Sequence, residues 1–397
     1  MTSLPLSGIR VLAIEQYGAG PFGSMLLADM GAEVIKIEDP SVGGDMSRGV
    51  GPFFMPDGSS QFFHSFNRNK RSLAVNLKTQ EGREVFDKLV ATSDAVMNNL
   101  RGNQPAKLGI DYPTLGKIKP DIVCAHLSAY GRKGERASWP GFDYLMQAEA
   151  GYLAVTGEPD GPPARFGLSV VDMMTGLMCS FALASAVIGA RTTGKGMDVD
   201  TSLFDTALHN VGYLATWYLN AGHNQGREPR GGHPSLVPSQ LYPTADGWIF
   251  IMCNKDVFWP VLSEKLGHPE WADDPRFARF ANRLEHKAEV NRLLEAEFVQ
   301  RTTEEWLAHL QGAVPCSPVH DVAGALENPF VVDGGRIGEF ASDSGAVRML
   351  KGPVTVPGSP APARAAPGLG ADSDALLYEL GYSDAAIARL REAGDIG

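Results

Sequence analysis

Cysteine is scarce in this chain. The four present, Cys124, Cys179, Cys253 and Cys316, lie far apart. With no CxxC pair and no Cys/His spacing, the pattern offers no metal site and no disulfide framework. No uncharged apolar run is long enough to span a bilayer. The longest such stretch, Val170 to Ala190, carries Asp172 and small residues and reads as a buried helix. The opening MTSLPLSGIRVLAIEQ has no basic segment followed by an apolar one, so no secretory leader is expected. These absences predict a soluble, cytoplasmic protein without a membrane partner. Positive charge is also short. Lys and Arg number 35 against 46 Asp and Glu, a net charge of −11. That balance argues against a general nucleic-acid binder, and an anionic ligand would need a local cluster of cations.

Other features are plentiful. Hydrophobic residues make up 44% of the 397 and charged residues 20%, a globular balance. The length allows about two to three domains. Glycine (45) and proline (27) are abundant without a collagen-like period, which implies many tight turns. No internal repeat is found.

The first half alternates β-rich runs with helical periods. Arg10–Glu15, Glu33–Glu38, Leu73–Leu77, Ala95–Asn98 and Ile122–His126 read as strands. Pro21–Met30, with proline near its first turn, and Glu81–Ala91 read as helices. This alternation predicts an α/β fold with a mainly parallel sheet covered by helices. Val170–Ala190 and Leu203–Asn220 are long apolar helices flanking a strand at Met197–Asp200. After Asn220 the texture changes. His223–Pro243 is rich in Gly, Pro and His and reads as a long functional loop or linker. A smaller unit follows, with a strand at Trp248–Cys253 and helices around Phe258–Leu266, Arg283–Gln300 and Thr303–Gln311. Val314–His320 reads as an exit segment. Ala361–Ala371 reads as a linker to two terminal helices, Ser373–Leu380 and Ser383–Ala393.

Gly18-Ala19-Gly20-Pro21-Phe22-Gly23 fits G-x-G-x-x-G between a strand and a helix, and Glu38 ends the next strand 20 residues after Gly18. A dinucleotide enzyme places its ribose acid there, so an NAD-dependent dehydrogenase is one reading. A plain βα turn is the other. Pro21 removes an N–H where the fingerprint wants a donor.

Several blocks, in order, resemble the family III CoA-transferases, the formyl-CoA and carnitine-CoA transferase group. They are LSGIRVLAIEQYGAGP, LLADMGAEVIKIEDP, GGDMSR, FNRNKRSLAVNLKTQEGREVF, LGIDYPTLGKIKPDIVCAHLSAYG, PGFDYLMQAEAG, TGEPDGPPARFGLSVVDMMTG, GGHPSLVPSQLYPTADGWIFI and AVPCSPVH. The resemblance implies a Rossmann-like large domain built from residues 1–220 and 318–397. It also implies an inserted smaller α+β domain at 221–317 and an interlocked homodimer. The implied activity moves CoA from an acyl-CoA donor to a carboxylic acid acceptor, with coenzyme A as part of substrate and product and no metal.

The family's catalytic aspartate falls on Asp172. Read by itself, Asp172 is a helix N-cap. A carboxylate at a helix start stays ionised, with backbone donors near a developing oxyanion. The family's CoA contacts fall on Gly18, Ala19, Val75, Asn76, Lys78, Asn99, Leu100 and Lys107, with Phe142 and Asp143 beside the thiol end. Because Asp39 stands where some members carry arginine, Lys36, Arg71, Arg101 or Lys107 would have to meet the CoA 3′-phosphate. Gln16 and Tyr17 could touch the acyl group. Gly231 and Gly232 are candidates for a closing loop, and Gln240 for the acyl pocket. Arg227 or Arg230 could pair with a distal carboxylate of a succinyl-like group. A racemase branch isomerises 2-methylacyl-CoA esters with a histidine where this chain has Phe142, so that reading is the weaker alternative. The four-glycine loop of the formyl-CoA group is absent, which disfavours formyl/oxalate exchange.

Overall fold

The computed structural model describes residues 3–342, 345–359 and 362–397. Residue 361, the start of the expected linker, lies outside them. The chain divides into two compact units. One holds Met1–Ala150, Gly167–Val211 and Gly335–Gly397, and the other Gly151–Phe166 and Gly212–Gly334. The smaller unit therefore starts at Gly212 rather than residue 221, ends at Gly334 rather than 317, and takes in Gly151–Phe166 as well. A backbone event marks its start. Gly212 takes φ 61° and ψ −125°, which side chains with a Cβ disfavour. It splits the helix expected over Leu203–Asn220 into Leu203–Asn210 and Tyr213–Ala221.

The first unit contains six parallel strands: β1 (Arg10–Ile14), β2 (Glu33–Glu38), β3 (Arg71–Ala74), β4 (Ala95–Asn98), β5 (Val123–Ser128) and β6 (Met197–Ser202), in the order β3-β2-β1-β4-β5-β6. This is the doubly wound arrangement, in which chain direction across the sheet reverses between β1 and β4. The register pairs Leu12 with Ile35 on one side and Val96 on the other. β4 and β5 are buried throughout, as central parallel strands covered on both faces must be.

The helices that matter for function are α1 (Ala19–Asp29), α2 (Gln61–Asn67), α3 (Gln80–Ala91), α4 (Asp143–Glu149), α5 (Val170–Thr193) and α6 (Leu203–Asn210). α3 shows how sequence makes such a helix. The Thr79 hydroxyl accepts the Gly82 N–H at 3.1 Å, Glu81 lies in the first turn and Lys88 in the last. Val85, Phe86, Leu89 and Val90 then form one buried face. They pack with Leu12, Ile35 and Val96 and with Leu376, Leu377, Ile387 and Leu390 from the end of the chain. The last residues also meet the end of β3, through an Ile396–Val75 bridge. A hairpin absent from the sequence reading, Ile337–Ser342 with Gly345–Leu350, belongs to this unit.

α1 lies against α5 with glycine on both sides. A Cβ on Gly23 would sit 2.5 Å from the Gly176 carbonyl oxygen, and one on Gly176 would sit 2.3 Å from the Ala19 carbonyl oxygen. Backbone meets backbone here, so Gly23 of the G-x-G-x-x-G run serves helix packing. α5 is long and apolar enough to cross a membrane, yet Val171, Cys179, Leu183 and Val187 on one face are buried. Leu177, Phe181 and Ile188 on another face are exposed.

The second unit holds an antiparallel sheet of β7 (Ser239–Pro243), β8 (Trp248–Met252) and β9 (Cys316–Pro318), with β8 central. Sequence pattern reads β7 as loop and β9 as an exit segment, because each carries proline. Both are edge strands, where proline is tolerated. Trp259, Leu294, Phe298 and Trp306 fill the core behind them.

Candidate active site

Open α/β sheets bind ligands beyond the carboxyl ends of their strands, at the point where strand order reverses. Here that point lies between the segments leaving β1 and β4. Gln16, Tyr17 and Gly18 leave β1, and Asn99, Leu100 and Arg101 leave β4. The two segments are tied together. The Asn99 carboxamide oxygen accepts the Gln16 N–H at 2.9 Å, and its nitrogen donates to the Gln16 carbonyl at 2.7 Å. The next residue, Tyr17, takes φ 70°, which costs a residue with a side chain on the order of 1–3 kcal/mol. Its N–H donates to Asp45 at 3.0 Å, and its ring packs on Phe62 at 5.1 Å.

Asp172 is the third residue of α5. Its N-cap is Ser169, so the expected N-cap role does not hold. Gly18 faces its carboxyl. A Cβ on Gly18 would fall 2.8 Å from Asp172 Oδ2, so only glycine leaves that oxygen clear. The Asp172 N–H donates to Asp143 Oδ2 at 2.9 Å, and Gln147 donates to Asp143 Oδ1 at 2.5 Å. Asp143, expected beside the CoA thiol, is therefore a buried acceptor for the first turn of α5. Burial and the neighbouring Asp143 charge push the Asp172 carboxyl up to about 7. The expectation of a firmly ionised carboxylate is corrected accordingly. The helix start favours charge, but desolvation and a like-charged neighbour outweigh it.

Two cavities of about 450 Å³ each share Tyr17, Gly18, Phe142 and Asp172 in their walls. The first also touches Gln16, Ala19, Asn99, Leu100, Arg101 and Gln104. The second is walled by Phe62, Phe66, Tyr144, Leu168 and Met173. Asp172 thus stands at the junction of a chamber with mixed polar and apolar walls and an aromatic one. Val75, Asn76, Lys78 and Lys107 line neither cavity. Val75 is buried, and the Asn76 N–H donates to the Asp395 carbonyl. Phe62, Phe66, Tyr144 and Met173 escaped the sequence reading, since no spacing separates an aromatic that lines a chamber from one that fills a core.

Two of the four cations expected at the CoA 3′-phosphate, Lys36 and Arg71, are already engaged, and so are Lys70, Arg68 and Lys78. Lys36 pairs with Asp45 at 2.8 Å, and Lys70 with Glu15 at 2.8 Å, with all four side chains fully buried. Burial pushes Lys70 down to about 8 despite Glu15 beside it. Arg71 pairs with Glu33 and Glu379, Arg68 with Asp29, and Lys78 with Asp39. Lys36 and Arg71 are therefore withdrawn as phosphate ligands. Arg101 and Lys107 are exposed, and among the described residues neither has a carboxylate partner.

Residues 6–373 match the family model described as CoA-transferase family III. The chain belongs to this family. As a family III CoA-transferase it acts on CoA thioesters, with an acyl-CoA donor and a carboxylate acceptor. It is 34% identical over 392 residues to a succinate–glutarate CoA-transferase of Agrobacterium fabrum, covering 95% of this chain and 96% of the relative. It is 35% identical over 366 residues to a succinyl-CoA:mesaconate CoA-transferase of Haloarcula marismortui, covering 89% of each. Its fold is similar to the solved structure of a CaiB/BaiF family protein from Brucella suis. The TM-score is 0.82 with 33% identity, covering 96% of this chain and all of that one (100%).

The dehydrogenase reading of this CoA-transferase falls with the family, and the geometry gives a physical reason as well. Glu38, the would-be ribose acid, takes two guanidinium hydrogen bonds from Arg48 at 2.7 and 2.9 Å and one from Ser72 at 2.7 Å. These partners hold its carboxyl below the usual range despite burial. His126, the histidine nearest the racemase pattern in sequence, is buried between Asn98 and Asp198 and lines neither cavity.

Gly231, Gly232 and Gln240 belong to the second unit. Gly231 (φ 61°) and Gly232 line a cavity of about 260 Å³ with Glu158, Tyr213 and Gln225. Gln240 is buried, and its side-chain oxygen accepts from Asn291 at 2.8 Å. Arg227 donates to the carbonyls of Glu158, Gly161 and Pro162, and Arg230 pairs with Glu295. Both arginines are engaged within this unit.

Proposed function

We propose that the chain exchanges CoA between two carboxylic acids through covalent intermediates on Asp172. The supporting observation is the Asp172 carboxyl at the wall shared by two chambers, with Gly18 leaving its Oδ2 open. The ionised carboxylate attacks the donor thioester carbonyl, forming an aspartyl–acyl anhydride and expelling CoA thiolate. The thiolate attacks the aspartyl carbonyl, releases the donor acid and leaves an aspartyl-CoA thioester. The acceptor carboxylate attacks that carbonyl and expels the thiolate again. The thiolate then takes the new acyl group and frees Asp172. Thioester energy is kept at every step, so the exchange is driven by neither ATP nor a metal. In this reading the Ala19 and Gly20 N–H groups at the start of α1, which follow Gly18, hold the developing oxyanion.

In this reading the pantetheine arm occupies the chamber beside Gly18, Ala19 and Leu100, with Phe142 near the sulfur. Arg101 and Lys107, exposed and, among the described residues, without a carboxylate partner, supply the charge for phosphate. The acyl group occupies the aromatic chamber, next to Tyr17. A succinyl-type donor is supported by the relatives' names, which refer to succinate and succinyl-CoA. A homodimer is supported by the exposed Leu177, Phe181 and Ile188 on α5.

The test is exchange from succinyl-CoA to a panel of acids, followed by mass spectrometry of the CoA products. Asp172→Ala is expected to lose at least about 10³-fold in turnover while still binding acyl-CoA. Hydroxylamine added during turnover should label the Asp172 peptide. Unchanged turnover in Asp172→Ala, or an unlabelled peptide, overturns the mechanism.

A further inference from the structure

We propose that Asn99 is a positioning residue: its carboxamide holds the Gln16 peptide groups and so fixes the left-handed Tyr17 turn that sets Gly18 and the start of α1 against Asp172. The proposal rests on Asp172 being the reacting group. Asn99 falls where the family resemblance implies a CoA contact, but both ends of its carboxamide are committed to Gln16. One side chain thus joins the exit of β4 to the exit of β1, across the point where strand order reverses.

The clamp has work to do because the following residue is strained. Tyr17 is not glycine, yet takes φ 70°. Relaxing it to an extended conformation would swing Gly18, whose missing Cβ is what leaves Asp172 Oδ2 open. The turn is held from a second side by Asp45, which accepts the Tyr17 N–H. Asp45 is itself fixed by Lys36 at 2.8 Å and by the Ser47 N–H and hydroxyl, both at 2.8 Å. The carbonyl before the turn, that of Glu15, accepts from Lys36 Nζ at 3.0 Å. Glu15 C=O, Gln16 N–H, Gln16 C=O and Tyr17 N–H are therefore all committed. Placement errors of about 1 Å at a reacting centre can cost about 10² in rate, so a support of this kind should register in turnover more than in binding.

The experiment compares Asn99→Ala, Tyr17→Gly, the double variant and Asp172→Ala for kcat and acyl-CoA KM, with circular dichroism to confirm folding. Asn99→Ala is expected to lower kcat about 10²-fold with KM changed less than about threefold. In the Tyr17→Gly background, where φ near 70° carries little strain, the same substitution should cost about tenfold or less. Asn99→Ser, smaller and still polar, is assayed alongside in case the alanine variant does not fold, with the same split expected at lower amplitude. A raised KM with kcat unchanged would make Asn99 a CoA contact and overturn the proposal. So would an equal loss from Asn99→Ala with and without the Tyr17→Gly substitution. If Asp172→Ala keeps its turnover, the covalent reading itself has failed. If Asp172→Ala is inactive while Asn99→Ala keeps its kcat, only the clamp has failed.

Discussion

Two sets of acidic side chains flank the turn at Gln16–Gly18, and they are in opposite electrostatic states. Glu15 and Asp45 are fully buried, but each has a lysine within 2.8 Å, so four charges cancel in a closed cluster. Asp143 and Asp172 sit together against the start of α5. Their contact runs through a backbone N–H, and burial together with the nearby Asp143 charge raises Asp172. Charges matched by a counter-ion hold the backbone. A buried carboxyl that meets a like charge, in a wall facing two chambers, ionises near neutrality, and in the proposed mechanism it is the group that reacts. The same residue types serve as scaffold or as chemistry according to what stands next to them.

Substitutions can break or sharpen this contrast. The largest effect is the loss of exchange in Asp172→Ala, with the fold retained because no partner of a buried ion pair is removed. Lys36→Met should act the other way. It strands Asp45 in a buried site and should cost about 3–5 kcal/mol of stability, read from urea denaturation. A loss below about 1 kcal/mol would mean the cluster is not a structural element. Gly18→Ala should lower kcat about 10²-fold, since its Cβ would press on Asp172 Oδ2 at 2.8 Å, with melting temperature little changed. The smallest effect concerns pH. In the proposed mechanism Asp172 must be ionised to attack, so kcat/KM should rise with pH through about 7. Asp143→Asn keeps an oxygen for the Asp172 N–H and removes the like charge. It should move that acidic limb down by about one pH unit. A limb that stays in place, or moves up, would mean that desolvation alone sets the value.

Much of the large unit was legible from pattern. β2 and β4 fall on the residues read as strands, and α3 is one residue longer than its periodic segment. Local rules failed where the partner was distant. β7 and β9 carry proline and gain strand identity only from pairing with β8. Gly212, which splits an apparently continuous apolar helix, looks like any other helix glycine until its φ is known. The site divides the same way. Asp172, Gly18, Gln16 and Phe142 could be singled out because the family blocks carry them in order. The commitment of Asn99 to Gln16, of Asp143 to the first turn of α5, and of Lys36 to Asp45 could not. Each spans a gap in sequence that no spacing rule covers.

The sequence by itself determined the alternation of strands and helices, the glycine-permitted turn after β1 and the family to which the chain belongs. These depend on residues near one another, or on blocks in fixed order. Only the tertiary structure decided which of the many lysines and arginines are consumed in ion pairs. It alone decided which acid meets a like charge rather than a counter-ion, and where the aromatic wall stands. The physical reason is that a charge acquires its energy from its surroundings. Burial and the nearest counter-charge are properties of packed neighbours, and those neighbours come from segments far apart in the chain.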